Sequence, residues 1–370
     1  MKHKIGLFGV GLDPLPSNQA LAIKHAYIQA KVLGKIAPTD YLDPYAFFSN
    51  NLPHEVSDKF GLLGQVSIPT WLQPKPRAND SFELTLDSLI RFMKLGGCLS
   101  VADKVHDFIF KNVFPRIPGM IGVDHSSTYG AISALKERGG EDLALVVIDS
   151  HFDAVPMALR HGLITYAKET NSFAIPLDLL SGAVCPSLSS SEIREWSKLN
   201  PENFLLHIVD NKWVDPKNLV IVGISDYPPD AYEESEDSKV AAYLNYFKSL
   251  EAQGVHFVPK SNIDEYGTKD LAKALKHLDA KRVYISLDMD VGSLSCVYAC
   301  RFLSTIGLSF NQIEDVFQTL FNAFSNGLTL AGFDLMEVDI HKLGAKIDHS
   351  HKDQAGKIGK MFLELVGKVV

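Results

Sequence analysis

The run Leu143-Ala-Leu-Val-Val-Ile148, followed at once by Asp149-Ser-His-Phe-Asp153, decides how this chain is read. An unbroken apolar hexapeptide ending in β-branched residues suits a strand buried on both faces of a parallel sheet. The acidic and imidazole groups that follow without a spacer put metal-binding chemistry at the end of that strand. Two other runs end the same way. Val283-Tyr-Ile-Ser-Leu287 leads into Asp288-Met-Asp290, and Gly119-Met-Ile-Gly-Val123 leads into Asp124-His125.

Around these runs the pattern alternates. Further strands are expected at Ile5–Val10, Leu219–Ile224, Val255–Val258 and Thr329–Glu337. Helices are expected at Gln19–Leu33, Phe82–Lys94, Val101–Phe110, Ser126–Arg138, Asp237–Gln253, Thr268–Leu278 and Ser309–Asn326. Val240, Leu244, Phe247 and Leu250 show the three- and four-residue steps of a helical apolar face. Strand–helix alternation predicts an α/β fold, a three-layer α/β/α arrangement on a mostly parallel, doubly wound sheet. Two stretches break the rhythm. Residues 34–80 are rich in Pro, Asn and Asp and read as an N-terminal excursion, and residues 156–206 exceed an ordinary connection and read as an active-site loop. With no repeat and no linker, residues 1–370 are expected to form one domain.

Electrostatics sharpens the reading of the strand ends. Five carboxylates (Asp124, Asp149, Asp153, Asp288, Asp290) and two imidazoles (His125, His151) cannot share a dry sheet edge without compensating charge. Hard oxygen donors mixed with imidazole suit Mn2+, Fe2+, Ni2+ or Zn2+. Residues at i, i+2 and i+4 of a strand share a side, so Asp149, His151 and Asp153 align if the extended path continues, as do Asp288 and Asp290. A lone Asp-x-Asp also suits a helix cap; three such motifs on three strand ends point to two metals about 3.5–4 Å apart.

The chain has 44 acidic and 36 basic residues, for a formal net charge of −8, which speaks against nucleic acid as a partner. No apolar run reaches the roughly 18 residues of a membrane span. Met1 leads directly into a strand-like run rather than a signal sequence, so a cytoplasmic protein is expected. Cys98, Cys185, Cys296 and Cys300 show no CxxC spacing and are expected to be reduced and structural. Gly6-x-x-Gly9-x-Gly11, followed by Pro14 and Pro16, is not a dinucleotide-binding turn.

Taken together, the motifs resemble those of the ureohydrolase superfamily of arginases, agmatinases and formimidoylglutamases, of which the chain looks like a divergent member. Gly122-Val-Asp-His-Ser126 resembles its Gly-Gly-Asp-His-Ser, Asp149-Ser-His-Phe-Asp153 its Asp-Ala-His-x-Asp, and Ser286-Leu-Asp-Met-Asp290 its Ser-x-Asp-x-Asp. Gly332-Phe-Asp-Leu-Met-Glu-Val338 resembles the strand that carries a substrate-binding glutamate. The resemblance spans roughly residues 118–340. It implies two divalent ions, Mn2+ first, with Ni2+, Fe2+ or Zn2+ as alternatives. One is expected on His125, Asp149, Asp153 and Asp288, the other on His151, Asp149, Asp288 and Asp290. It further implies a hydroxide bridging the ions that attacks the trigonal carbon of a guanidino, amidino or formimino compound. Glu337 is then expected to orient a small cationic substrate, and His207 to pass a proton to the departing amine, with His161 in reserve. Family members are commonly homo-oligomers, trimers or hexamers.

The chain departs from the pattern after Asp290, where Ser293 and Leu294 replace an Asp-Pro pair. Arg301 has no family equivalent and is read as pairing with a carboxylate in the site, as binding an anionic part of the substrate, or as a surface arginine opening the next helix. The segment after Asp153 lacks the Asn/Ser-rich stretch with which arginases grip an α-amino acid, and Ser181-Gly182 and Ser187–Ser191 are candidates for reshaping the pocket. Two alternatives stand beside hydrolysis of a linear C–N bond: a one-zinc deacetylase-like hydrolase, and a metal-binding member without turnover.

Overall fold

Alternation within each apolar strand sorts its side chains onto two faces. Ala144, Val146 and Ile148 enter one hydrophobic core, while Leu145 and Val147 enter the other. A strand apolar on both sides needs a helical layer over each face, and the chain provides both. The computed structural model describes residues 3–36, 40–139, 142–170, 197–348 and 351–370. Helices including Gly97–Phe108, Ser127–Gly139 and Ser238–Gln253 cover one face. Lys269–His277, Phe310–Ser325 and Ala355–Lys368 cover the other.

The strands are β1 (Ile5–Val10), β2 (Phe60–Gln65), β3 (Ile117–Gly122), β4 (Ala144–Ile148), β5 (Leu219–Val222), β6 (His256–Val258), β7 (Arg282–Asp288) and β8 (Thr329–Met336). They form one sheet in the order β2-β1-β3-β8-β7-β4-β5-β6, and every pair is parallel. Consecutive β3 and β4 are therefore separated by β8 and β7, so their following segments diverge and leave a crevice at the carboxyl edge. Register sets the depth there. Ile148 lies opposite Leu287 and Asp288 opposite Met336, which brings Asp149, Asp288 and Glu337 to nearly one level.

The expected α/β sheet is present, with corrections at its margins. It is wholly parallel, and its eighth strand, β2, lies inside the 34–80 segment expected to be an excursion, which also holds the helix Pro44–Asn50. Phe-Gly-Leu-Leu-Gly-Gln carries two glycines and half-exposed positions, so β2 shows little strand signal; its pairing with β1 makes it an edge strand. The C-terminal helix Ala355–Lys368 also went unanticipated. The 156–206 segment begins with the helix Met157–Thr170; its serine-rich candidates at 181–191 lie outside the described residues. Cys98, Cys296 and Cys300 are buried free thiols.

One close approach gives a direct test of the packing. A Cβ on Gly130 would sit 2.2 Å from the Ala102 carbonyl oxygen, where Ser127–Gly139 crosses Gly97–Phe108. Backbone cannot yield as a side chain can, so Gly130→Ala is expected to cost roughly 3 kcal/mol in urea unfolding. A loss below about 0.5 kcal/mol would show that the helices separate freely.

Candidate metal centre

β4 and β7 deliver their acidic groups at the sheet edge, but the chain does not stay extended beyond them. The Asp149 carboxylate accepts from the His151 amide at 2.7 Å. The Asp288 carboxylate likewise accepts from the Asp290 amide at 2.8 Å, opening the 3-10 turn Met289–Val291. These are Asx turns, favoured because a short carboxylate reaches the amide two residues on. The expected strand alternation is thereby corrected: tight turns, not a shared strand face, bring Asp149, His151 and Asp153, and Asp288 and Asp290, together.

The groups converge. His125 Nδ1 lies 2.8 Å from Asp288 Oδ2, 3.5 Å from Asp149 Oδ2 and 3.9 Å from Asp153 Oδ2. His151 Nδ1 lies 2.9 Å from Asp290 Oδ2 and 3.8 Å from Asp149 Oδ1. Ligand atoms of His125, Asp149 and Asp288, of Asp149, His151 and Asp290, and of Asp288, Asp290 and Glu337 each fall within 4.8 Å of one another. All of these residues are buried, His151 being the most open at 8%. Yet His125 Nδ1, Asp149 Oδ2, His151 Nε2 and Glu337 Oε2 are buried and make no aligned hydrogen bond. Buried polar atoms are almost always satisfied, so four orphans in one cluster mark a place for cations, and the donor set fits divalent ions.

Protonation follows the same logic. Burial, then the surrounding carboxylates, raises Asp149, Asp288 and Glu337 well above the carboxylate range. Burial lifts Asp153 to about 8 against the pull of Arg160 and His151. Burial lowers the His125 imidazole to about 3, which keeps it neutral. Burial also depresses His151, but the Asp290 carboxylate outweighs it and lifts the ring to about 9. Asp290 would be raised by burial, yet His151 and Ser150 hold it below its usual value.

A buried network fixes the orientation of His125. Its Nε2 meets Ser286 Oγ at 2.8 Å, and Ser286 Oγ donates to Asp334 Oδ1 at 2.6 Å. Thr128 and Tyr284 donate to the other Asp334 oxygen at 2.7 and 2.8 Å. The partner on Nε2 leaves Nδ1 facing the carboxylates. Ser286→Ala is expected to weaken metal binding by roughly 10–100-fold. Calorimetric titration with Mn2+ checks this, and unchanged affinity would show that His125 needs no such support.

The cleft above the cluster is lined by His151, Asp153, Arg160, Pro201, Glu202, Asp290, Phe302 and Glu337. Glu337 follows β8 at a φ of 60°, an unusual backbone for a residue with a Cβ and one that turns the chain at the cleft floor. Arg160, unmarked in the sequence, is 4% exposed and lies 3.3 Å from Glu202 and 3.9 Å from Asp153. Asp226 was also unmarked; both its carboxylate oxygens accept from the Phe152 amide, holding the Asp-x-His-x-Asp turn in place. Ser293 anchors a turn through its carbonyl, which accepts from the Cys296 and Val297 amides.

Two expected proton-transfer residues are not brought into this cleft. His207 sits on Phe204–Asp210, whose buried side is Phe204, Leu205 and Ile208. Its Nε2 donates to the Ser197 carbonyl at 3.1 Å and its ring meets Tyr129 edge-on. The same helix instead stacks Phe204 on His125, with ring centroids 4.1 Å apart. His161 is displaced by one position: on Met157–Thr170 the buried face takes Arg160, Leu163, Ile164 and Ala167. Arg301 is no surface residue opening a helix. It lines the cleft beside Glu337, and the next helix starts at Phe310.

A wholly parallel sheet with a buried carboxylate–imidazole cluster at its switch point defines an α/β protein built around a candidate metal centre. The sequence profile of the Arginase family matches residues 80–342, and the chain belongs to that family. In fold it is similar to proclavaminate amidino hydrolase from Streptomyces clavuligerus, at 17% identity and a TM-score of 0.55, covering 100% of this chain and 93% of that one. It is similar to formimidoylglutamase from Bacillus subtilis at 15% identity and a TM-score of 0.55, covering 100% and 88%. A Trypanosoma cruzi formiminoglutamase variant with Mn2+ matches at 13% identity and a TM-score of 0.52, covering 100% and 94%. At such identities the likeness speaks to the fold. No curated protein matches the sequence. Among the described residues, no helix is long and apolar enough to cross a membrane.

Proposed function

We propose that this protein is a hydrolase that cleaves a linear C–N bond in a guanidino, amidino or formimino compound with the help of two divalent ions. The observation that carries the reading is the set of buried, unpartnered ligand atoms on His125, Asp149 and His151 amid the Asp153, Asp288 and Asp290 carboxylates. Membership of the Arginase family supports it. One ion would be held by His125, Asp149, Asp153 and Asp288, the other by Asp149, His151, Asp288 and Asp290, with Mn2+ the first choice. Bound there, the ions supply positive charge that compensates the carboxylates and bring the pKa of water toward neutrality.

The chain's own groups do the remaining work. Ser286 and Asp334 hold His125 aimed at the carboxylates, and burial keeps it neutral. Glu337, pointing an unpartnered oxygen at the cluster, would receive the cationic end of the substrate. Pro201 and Phe302 flank it and exclude water. The test is release of urea, ammonia or formamide across a panel of guanidino, amidino and formimino compounds, with metal content measured in parallel. Glu337→Gln is expected to raise KM roughly 10–100-fold without loss of metal. A metal-full protein that turns over no member of the panel sinks the reaction class. A single tightly held zinc per chain would favour the deacetylase-like alternative.

A further inference from the structure

A residue with a Cβ keeps a φ of 60°, as Glu337 does, only where its surroundings hold it there. Residues 298–301 form a strap across this turn. The amides of Tyr298 and Ala299 both donate to Asp353 at 2.9 Å, which fixes one end of the strap. Its middle makes an antiparallel bridge, Cys300 against Val338. There the Arg301 amide donates to the Glu337 carbonyl, and the Asp339 amide to the Ala299 carbonyl, each at 3.0 Å. The Arg301 side chain, 9% exposed, fixes the other end by pairing with Asp13. Asp13 opens the Asp13-Pro-Leu-Pro16 segment beyond β1, where two prolines leave the backbone little freedom. Lys24 secures that segment in turn: its Nζ lies 3.4 Å from the Asp13 carboxylate and donates to the Asp13 carbonyl at 2.6 Å.

The charges around Arg301 give it an internal task. Asp13, Asp124, Glu202 and Glu337 line the same part of the cleft, and the charge of Asp339 acts on the guanidinium as well. Carboxylates outnumber it, so it has no charge to spare for a ligand. We infer that Arg301 is a positioning residue. Its amide holds the Glu337 carbonyl and its guanidinium ties the strap to Asp13, so the Glu337 carboxylate keeps its place over the acidic cluster. The inference rests on the hydrolase reading above, which gives Glu337 the cationic end of the substrate. Placement matters there, since a displacement on the order of 1 Å can cost about a hundredfold in rate. A lysine would bring the charge without the planar fork that a buried carboxylate pair uses. The anchor also keeps Arg301 away from its charge: without the Asp13 anion, Asp339 and Glu337 remain to draw the guanidinium, and the second of these is the group it serves.

The test is a double-mutant cycle on Mn2+-loaded full-length protein, with the most active member of the guanidino, amidino and formimino panel as substrate. Arg301→Met is expected to raise KM roughly tenfold with kcat within about twofold and metal content unchanged. Arg301→Lys is expected to recover part of that loss, and Asp13→Asn to raise KM by about as much as Arg301→Met. If Arg301 acts through Glu337, the Arg301→Met, Glu337→Gln double variant is no more than about twofold worse than Glu337→Gln alone. A merely structural arginine would lower the active fraction, and hence kcat, and would add its loss to that of Glu337. Should Arg301→Met fail to fold, Arg301→Lys and Asp13→Asn carry the same cycle with Glu337→Gln. Calorimetric binding of the panel compounds separates the inference from the reaction: the same non-additive losses in affinity, without turnover, uphold the positioning role and reject the chemistry. Losses that multiply in the double variant overturn the inference, as does a KM indifferent to both Arg301 and Asp13.

Discussion

Asp288→Asn is expected to lower kcat/KM by about three orders of magnitude, the equivalent of roughly 4 kcal/mol of lost transition-state stabilisation. In chelator, the same variant is expected to be as stable as the wild type or more so. The two outcomes share one cause. Asp288 stands 2.8 Å from His125 and belongs to two of the three groups able to hold an ion. Without an ion, burial and then the charges of Asp290 and Asp153 disfavour its ionised form. A neutral amide ends that repulsion and still accepts from the Asp290 amide through its oxygen. It cannot bring the negative charge a divalent ion needs. Steady-state kinetics, metal content and urea unfolding in chelator check this. Retention of more than about a tenth of the activity at full metal occupancy would remove Asp288 from the ligand set. A loss of more than about 2 kcal/mol in chelator would make the carboxylate a structural element.

Metal-free protein is expected to lose stability as pH rises between about 6.5 and 9, and Mn2+ to reverse the slope. A carboxylate whose pKa is raised in the fold binds a proton there that it gives up on unfolding. Its contribution is complete below the unfolded value and is lost as pH climbs through the folded one, from 3.8 to about 8 for Asp153. His151, lifted from 6.5 to about 9 by Asp290, loses its contribution over the upper part of the same range. His125 acts oppositely but lower: held neutral by burial at about 3, it weakens the fold only as pH falls below 6.5. Above 6.5 the signs of Asp153 and His151 agree. Ions compete with the protons, so their stabilisation grows with pH and reaches about 4 kcal/mol at a thousandfold excess over Kd. Urea unfolding at pH 6.5, 7.5 and 8.5, with chelator or Mn2+, measures both slopes. A chelated protein that gains stability across that range would show that the carboxylates are not crowded as the structure has them.

Much of the site was legible because it is local. Leu143–Ile148 and Val283–Leu287 announce buried parallel strands, and a strand held in register by main-chain hydrogen bonds carries the next residue to a set depth. That Asp149 and Asp288 meet at one edge follows from two apolar runs and the letters after them. The way they meet was read less well, since an Asx turn and a continued strand leave the same residue spacing. β2 escaped because its glycines and half-exposed positions carry no alternation; only its pairing with β1 makes it a strand.

The order of residue types along the chain was enough by itself to establish an α/β sheet and to gather at its edge a set of carboxylates and imidazoles of a kind that could hold cations. Tertiary structure alone decided which side chains close the cleft around them: Arg160 in place of its neighbour His161, His207 turned out toward Ser197, and Arg301 turned in against Asp13. The reason is geometric. A residue at a strand end inherits its position from the ladder, while the direction of a helical side chain depends on how the whole helix is rotated by what it packs against. For Met157–Thr170 and Phe204–Asp210 that partner is the core beneath them, assembled from strands far away in sequence.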